Sequence, residues 1–523
     1  MGAALEGAAA HLMPLRRAFL TAGDRMSVTA LQPKLPIAQT FDAEYLEQWG
    51  ILPLEIAGER LRVAAVGEPA VEVLSDLETS FGLAVELVPV DGDVLLDSIR
   101  RTYAAAESVV ELVKDLDGTV AGDSPSGDEA LADARGLANQ PPVIRFVNLL
   151  IREAHDARAS DIHLESTRDG LSARFRVDGV LTELPSPPKG LQAAVVSRIK
   201  LLAELDIAER RAPQDGRIRV RLEERELDLR VSTVPTLYGE SVVLRLLDRG
   251  GQLVGLDELG MAPETLETFR RLAERPHGIL LATGPTGSGK TTTLYAALAL
   301  RHRTAEKIIT VEDPVEYHLS GVTQVPVNVK AGMTFGGALR SILRQDPDVL
   351  MVGEMRDGET AATAVQAALT GHLVFSTLHT NDAPSAVTRL VDLKVEPYLI
   401  AATLEGVLAQ RLVRKICPEC RERYTPDPGA VALLAQQPVG RLKLERGHGC
   451  TACRHTGYRG RTGLFELLVF TDQIQQALLK SPSASALREI AQAQGMATLR
   501  QDGWRKVQVG ITTVEEVLRV AEA

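Results

Sequence analysis

The sequence predicts an α/β protein: a core built on a parallel sheet, preceded by a small α/β segment and an α+β domain, and followed by a cysteine-bearing insertion. Three observations predict it. Short apolar runs at 278–282, 307–311, 348–352 and 373–377 are separated by helical patterns, the signature of a doubly wound sheet. A glycine-rich turn follows the first run directly, and a helical pattern follows the turn. Two Cys-x-x-Cys pairs then come after the sheet.

Bulk properties bound the function. At 523 residues the chain exceeds one ordinary core, and ~150 residues per domain suggests about three domains. A net charge of −11 and an aromatic content of 4% argue against a chain that coats nucleic acid or anionic lipid. No run reaches the ~18 apolar residues of a membrane span; the stretch 398–412 is broken by Glu405, Gln410 and Arg411. Glu6, His11, Arg16 and Arg17 interrupt the Ala-rich start, unlike a signal-peptide core. A cytoplasmic location is expected.

In order, residues 1–36 read as a flexible tail. Residues 37–112 form a small domain, with a helix pattern at 41–49 and strands at 61–66 and 84–88. Residues 113–142, rich in Gly, Asp, Ser and Ala, read as a flexible linker. The α+β domain, 143–249, opens on a helix at 144–154. Strands follow at 161–165 and 171–177, then a helix at 191–205 and hairpins through 217–222, 226–231 and 241–246. Asp-Gly pairs at 169–170 and 178–179 punctuate it. The sheet core is 250–412, the cysteine segment 413–457, and a helical region closes the chain over 458–523.

The chemistry concentrates in the core. Gly284-Pro285-Thr286-Gly287-Ser288-Gly289-Lys290-Thr291, running into Thr292, fits the phosphate-loop pattern at every defined position. Its glycines let backbone N–H groups cradle a β-phosphate, Lys290 reaches the β and γ oxygens, and the Thr291 hydroxyl ligates Mg²⁺. Glu354, at the end of the 348–352 strand, is the candidate general base that activates the attacking water. Asp348 either orients that strand or caps it. Glu312, Asp313 and Glu316 end the 307–311 strand at the ligand edge of the sheet, where they would bind Mg²⁺ or position its waters. His379, ending the 373–377 strand, would bond the γ-phosphate and report its presence; His372 fits a structural role equally well.

Cys417, Cys420, Cys450 and Cys453 can close a tetrahedral Zn²⁺ site. The 29 residues between the pairs (421–449) exceed the ~15–20 of a simple ribbon and imply an insertion. Two disulfides are the alternative, one a cytoplasmic setting disfavours.

With these motifs in place, the chain resembles the assembly ATPases of type II secretion, within the wider family that also drives type IV pili. The resemblance covers 143 to the C-terminus and, more weakly, 37–103. It rests on Ala159-Ser160-Asp161-Ile162-His163-Leu164-Glu165, Arg211-Ala212-Pro213-Gln214-Asp215-Gly216-Arg217 and Arg230-Val231-Ser232-Thr233 before the core. Within and after it, the acids at 312–316, the run 343–354, the histidine stretch 371–382 and Gly457-Tyr458-Arg459-Gly460-Arg461-Thr462-Gly463 continue the match. The resemblance implies a RecA-like core that hydrolyses ATP, preceded by a PAS-like α+β domain whose Arg217 and Arg230 approach the phosphates. It also implies a homo-hexamer held at the cytoplasmic face of the inner membrane by platform proteins that bind the N-terminal region, with no nucleic-acid partner. The pilus-extension ATPase, which shares every catalytic motif, is the nearest alternative. The Arg-Leu-Gly motif that opens the cyclic-di-GMP module of some relatives is absent.

Overall fold

The computed structural model describes residues 43–57, 60–67, 69–81, 83–104, 109, 112–113, 138, 141–222, 225–248, 254–301, 305–436 and 442–521. The expected tail and nearly all of the expected linker lie outside the described residues, as do Arg249, Gly250 and Gly251. Two compact units emerge: Met1–Glu153 with Asp169–Leu171 and Leu184–Arg198, and the rest of the chain to Ala523.

The first unit opens on α1 (Ala43–Trp49), β1 (Ile51–Ala57) and β2 (Arg60–Ala65), and continues through α2 (Val71–Phe81), β3 (Ala84–Pro89) and α3 (Gly92–Ala104). Strand β2 pairs antiparallel with β1 and parallel with β3. Alternation along β2 buries Leu61 and Val63 with Ile51, Leu77, Leu95 and Ile99. The described residues of this segment are α/β, with α1–α3 packed on β1–β3.

Then come α4 (Pro141–Asp156), β4 (Ala159–Thr167), β5 (Gly170–Val177), β6 (Val180–Leu184), α5 (Gln192–Leu202), β7 (Gln214–Leu222), β8 (Arg225–Thr236) and β9 (Gly239–Asp248). The strands form one sheet in the order β6-β5-β4-β9-β8-β7. Asp178 and Gly179 both take positive φ, 50° and 86°, which is the geometry a two-residue hairpin turn requires. Beside the sheet, buried Lys200 donates to Glu240 and to the Glu209 carbonyl, both at 2.6 Å, so neither charge is left unpaired.

The core begins with α6 (Pro263–Ala273), β10 (Gly278–Thr283), α7 (Lys290–Leu300), β11 (Ile308–Glu312), β12 (Thr323–Pro326) and α8 (Phe335–Ile342). It continues through β13 (Val349–Val352), α9 (Gly358–Leu369), β14 (Leu373–Leu378), α10 (Ala383–Asp392), α11 (Pro397–Thr403) and β15 (Leu404–Ile416). The insertion holds β16 (Arg421–Tyr424), α12 (Pro428–Ala435) and β17 (Leu444–Gly447), before β18 (Tyr458–Val469) and helices α13 (Asp472–Lys480), α14 (Ala484–Ala493), α15 (Leu499–Gln508) and α16 (Val514–Ala521). Among the described residues the sheet has seven strands, β12-β11-β13-β14-β10-β15-β18. All neighbours are parallel except β15 and β18. Every residue of β10, β13 and β14 is buried, which is why these strands read as unbroken apolar runs.

The four expected core strands are present, and β12, β15 and β18 join them. Strand β15 escapes sequence reading because Glu405, Gln410 and Arg411 break its apolar run. Residues 458–469, expected within a helical region, instead form β18, which pairs antiparallel with β15 from Gly406↔Val469 to Ile416↔Tyr458. The cysteine segment is therefore an insertion between the two strands of a long hairpin.

Candidate active site and metal centre

The phosphate loop springs from the carboxyl end of β10, between neighbours β14 and β15. Parallel register sets Thr283 opposite Ala409, so Gln410 and Arg411 run level with the start of the loop. A side chain at Gly284 (φ 148°) would place its Cβ 2.4 Å from the Gln410 carbonyl oxygen; one at Gly289 (φ 86°) would meet the Gln410 amide nitrogen at 2.8 Å. Gln410 in turn accepts from the Thr293 hydroxyl at 2.7 Å, locking α7 to β15.

At the first residue of α7, the Lys290 ammonium folds back and donates to the carbonyls of Gly284 at 2.7 Å and Pro285 at 3.0 Å. Burial pushes its pKa down to about 8; the Glu354 carboxylate pulls against that shift, and the Arg411 guanidinium adds to it. Ser288 is buried, and its hydroxyl finds no partner among the described residues. A buried open hydroxyl and a desolvated ammonium at a helix N-terminus form a ready anion site.

Glu354 follows β13 through Gly353. The Thr377 hydroxyl donates to the Gly353 carbonyl at 2.7 Å, and the Met355 amide to the Thr377 carbonyl at 3.1 Å, pinning this turn to β14. The Glu354 carboxylate is 13% exposed; it meets the His379 ring nitrogen at 3.2 Å and forms an ion pair with Arg356. Lys290, Glu354 and His379 thus come together. Arg356, two residues beyond Glu354, carries no motif signal of its own and was missed in the sequence. Asp348 accepts from the Lys307 amide at 2.7 Å and caps the start of β11. His372 bonds the Ala367 carbonyl at 2.8 Å, a structural contact.

Glu312 is a correction. Expected to face nucleotide, its carboxylate is 2% exposed and takes donors from Thr310 at 2.6 Å, Gln324 at 3.2 Å and the Tyr295 hydroxyl. With three donors engaged, it braces the turn from beneath. Asp313 is exposed above it, within the field of Arg356.

Arg217 and Arg230 lie directly opposite each other on β7 and β8, and Arg230 lies opposite Arg245 on β9. Arg245 is balanced by Asp161 at 3.0 Å. Among the described residues neither Arg217 nor Arg230 makes a hydrogen bond or an ion pair, so the structure does not join them to the phosphate loop.

The four cysteines converge, with Sγ–Sγ separations of 3.9 Å (417–450), 3.8 Å (420–453) and 3.7 Å (450–453). Four thiolates ~2.3 Å from a central zinc stand about 3.8 Å apart, whereas a disulfide needs ~2 Å, so the donor set fits Zn²⁺ and not two disulfides. Amides of Gly449, Cys450 and Gly457 donate to the sulfurs at 3.1–3.3 Å, as anionic thiolates require. The knuckles staple the insertion to its hairpin where Gly447 and Gly457 touch: a Cβ on Gly447 would lie 2.0 Å from the Gly457 carbonyl oxygen.

Two measurements follow. Reduced, tag-free protein should carry about one zinc per chain, and Cys450→Ser should lose it and loosen the insertion while nucleotide binding persists; elemental analysis with limited proteolysis checks both. Nucleotide affinity should be flat in Lys290 charge below pH 7 and weaken as pH rises through about 8. Phosphates favour the charged ammonium, so binding above that pH must take up a proton, costing at most about tenfold per pH unit. Titration of a fluorescent ATP analogue between pH 7 and 9.5 measures it, and a flat profile contradicts it.

Comparison with known proteins agrees with this geometry. Residues 137–519 match the family model described as Type II/IV secretion system protein. A "Type II secretion system protein E" of Xanthomonas campestris pv. campestris is 47% identical over 93% of this chain and 86% of its own length. The "Type II secretion system ATPase E" of Vibrio cholerae is 51% identical over 73% of this chain and 76% of its own. Among solved structures, the Legionella pneumophila ATPase DotB shares the fold, with a TM-score of 0.54 at 22% identity, over 72% of this chain and 96% of that one. With a phosphate loop, an adjacent carboxylate and a four-cysteine hairpin insertion in place, the chain belongs to the Type II/IV secretion system protein family and is a secretion ATPase.

Proposed function

We propose that this ATPase drives pseudopilus assembly and protein export by a type II secretion system, working as a homo-hexamer at the cytoplasmic face of the inner membrane. The convergence of Lys290, Glu354 and His379 at the phosphate loop is the observation that carries the hydrolytic part of this reading. Loop amides from Thr286 to Thr292 cradle the phosphates, and Lys290 exchanges the carbonyls of Gly284 and Pro285 for phosphate oxygens. Glu354 takes the proton of the attacking water, while His379 and Arg356 fix the carboxylate's direction. Thr291 and Asp313 would hold Mg²⁺, which when bound neutralises charge on the β- and γ-phosphates. Glu312 supports Asp313 from below.

Arg217 and Arg230 complete the site when the α+β domain closes. Like charges directly opposite in a sheet destabilise it, and a triphosphate would reverse that sign. Cys417, Cys420, Cys450 and Cys453 would hold Zn²⁺ in a structural role. The small N-terminal domain, 37–112, docks on inner-membrane platform proteins and so ties the ATPase to the membrane; among the described residues no helix is long and apolar enough to cross one.

Arg217→Ala and Arg230→Ala should each lower turnover strongly, toward the ~10³–10⁵-fold of an arginine finger, and change ATP affinity much less. Lysine should rescue only in part, lacking the bidentate fork. Steady-state kinetics on assemblies of equal size decide this; wild-type turnover in both alanine variants would refute closure. In the cell, deleting the gene should trap exported enzymes inside the outer membrane and spare pilus-driven motility. The opposite pattern would assign the ATPase to pilus extension.

A further inference from the structure

Strand β15 carries a second cation to the phosphate loop. Arg411 lies two residues beyond Ala409, the partner of Thr283, and so at the level of the loop's first turn. Gln410 points its side chain to Thr293. Period-two alternation sends the neighbouring Arg411 to the other face of the sheet. There its Nη2 donates to Asn381 Oδ1 at 2.9 Å. Asn381 belongs to the loop from β14 to α10, whose every residue is tied to something different. His379 meets Glu354 at 3.2 Å. The Thr380 amide donates to the Thr283 hydroxyl at 2.9 Å, and Asp382 pairs with Arg488 at 2.7 Å while capping α10 through the Ser385 amide at 2.8 Å. Arg411 is therefore the tie between this loop and the strand that floors the phosphate loop.

The tie is not a surface ion pair. Asp382 is already engaged by Arg488 and Ser385, and Arg411 Nη1 is buried with no partner among the described residues. Leaving one buried donor of a half-buried guanidinium open costs stability, which the Asp382 charge nearby offsets only in part. Such a cost fits a group held for the site.

We propose that Arg411 is a positioning residue for ATP hydrolysis: by holding Asn381 it sets the loop that places His379 against Glu354. It acts on the base through the loop, so its loss should be felt in turnover and not in ground-state binding. A displacement of about 1 Å at the base is enough to cost on the order of 10²-fold in rate.

This inference rests on Glu354 being the base, so Glu354→Gln is measured beside it in the full chain. Arg411→Gln should lower kcat about tenfold or more and leave KM for ATP within about threefold. Asn381→Ala removes only the acceptor, on an exposed loop residue, and should reproduce that effect. The double variant should be no worse than Arg411→Gln alone, because one tie cannot be cut twice. Arg411→Lys should recover part of kcat.

Should Arg411→Gln fail to fold, Asn381→Ala decides alone. Normal kcat in Asn381→Ala, additive losses in the double variant, or a raised KM with unchanged kcat would each overturn the positioning role; the last would make Arg411 a plain phosphate binder. Wild-type turnover in Glu354→Gln would instead remove the base assignment itself. An inactive Glu354→Gln beside a normal Arg411→Gln would reject this inference alone.

Discussion

The site depends on one close approach: the backbone of β15 against the phosphate loop. With the Gln410 carbonyl where a Gly284 Cβ would sit, no side chain can separate loop from strand, and the loop's backbone is set by the strand beneath it. The consequence reaches far along the chain. Strand β15 continues past the loop to Cys417, and β18 brings the chain back from Gly457 to pair along its whole length. The nucleotide loop, beside the middle of the strand, and the four-cysteine insertion, past its carboxyl end, are thus fixed to one element. The zinc segment is local in its chemistry, while its hairpin is part of the core.

Electrostatics in the site follow from that packing. Lys290 is desolvated by burial at the start of α7, and a desolvated ammonium needs an anion. Glu354 supplies part of the compensation, from a carboxylate already shared with His379 and Arg356. In the proposed mechanism incoming phosphate would supply the rest, so that one buried ammonium links phosphate binding to the carboxylate that acts on water.

What the sequence made legible is what local chemistry dictates. The phosphate loop, Glu354 and the cysteine pairs depend on spacing along a few residues, and fully buried parallel strands announce themselves as apolar runs. Strand β15 was hidden because its polar residues do structural and site work, Gln410 on Thr293 and Arg411 on Asn381, which breaks the apolar pattern. Glu312 misled for a related reason. An acid at a strand's carboxyl end reads as a ligand, and only tertiary structure reveals Tyr295 and Gln324, from a helix and an edge strand, turned onto it. Arg411 was out of reach for the same cause: its role exists only because β15 and the loop after β14, distant in sequence, meet across β10.

The arginine row of the α+β domain adds a constraint of a different kind. Arg217, Arg230 and Arg245 stand in register on three adjacent strands, and only Arg245 has its acid, Asp161. Shuffling one residue in register would turn these side chains to the other face, so the stack is a consequence of strand pairing that the sheet could have avoided. In a chain of net charge −11 acids are plentiful, yet among the described residues none neutralises Arg217 or Arg230. The proposed closure would set the nucleotide's phosphates against this uncompensated pair, and release of phosphate after hydrolysis would take that charge away again.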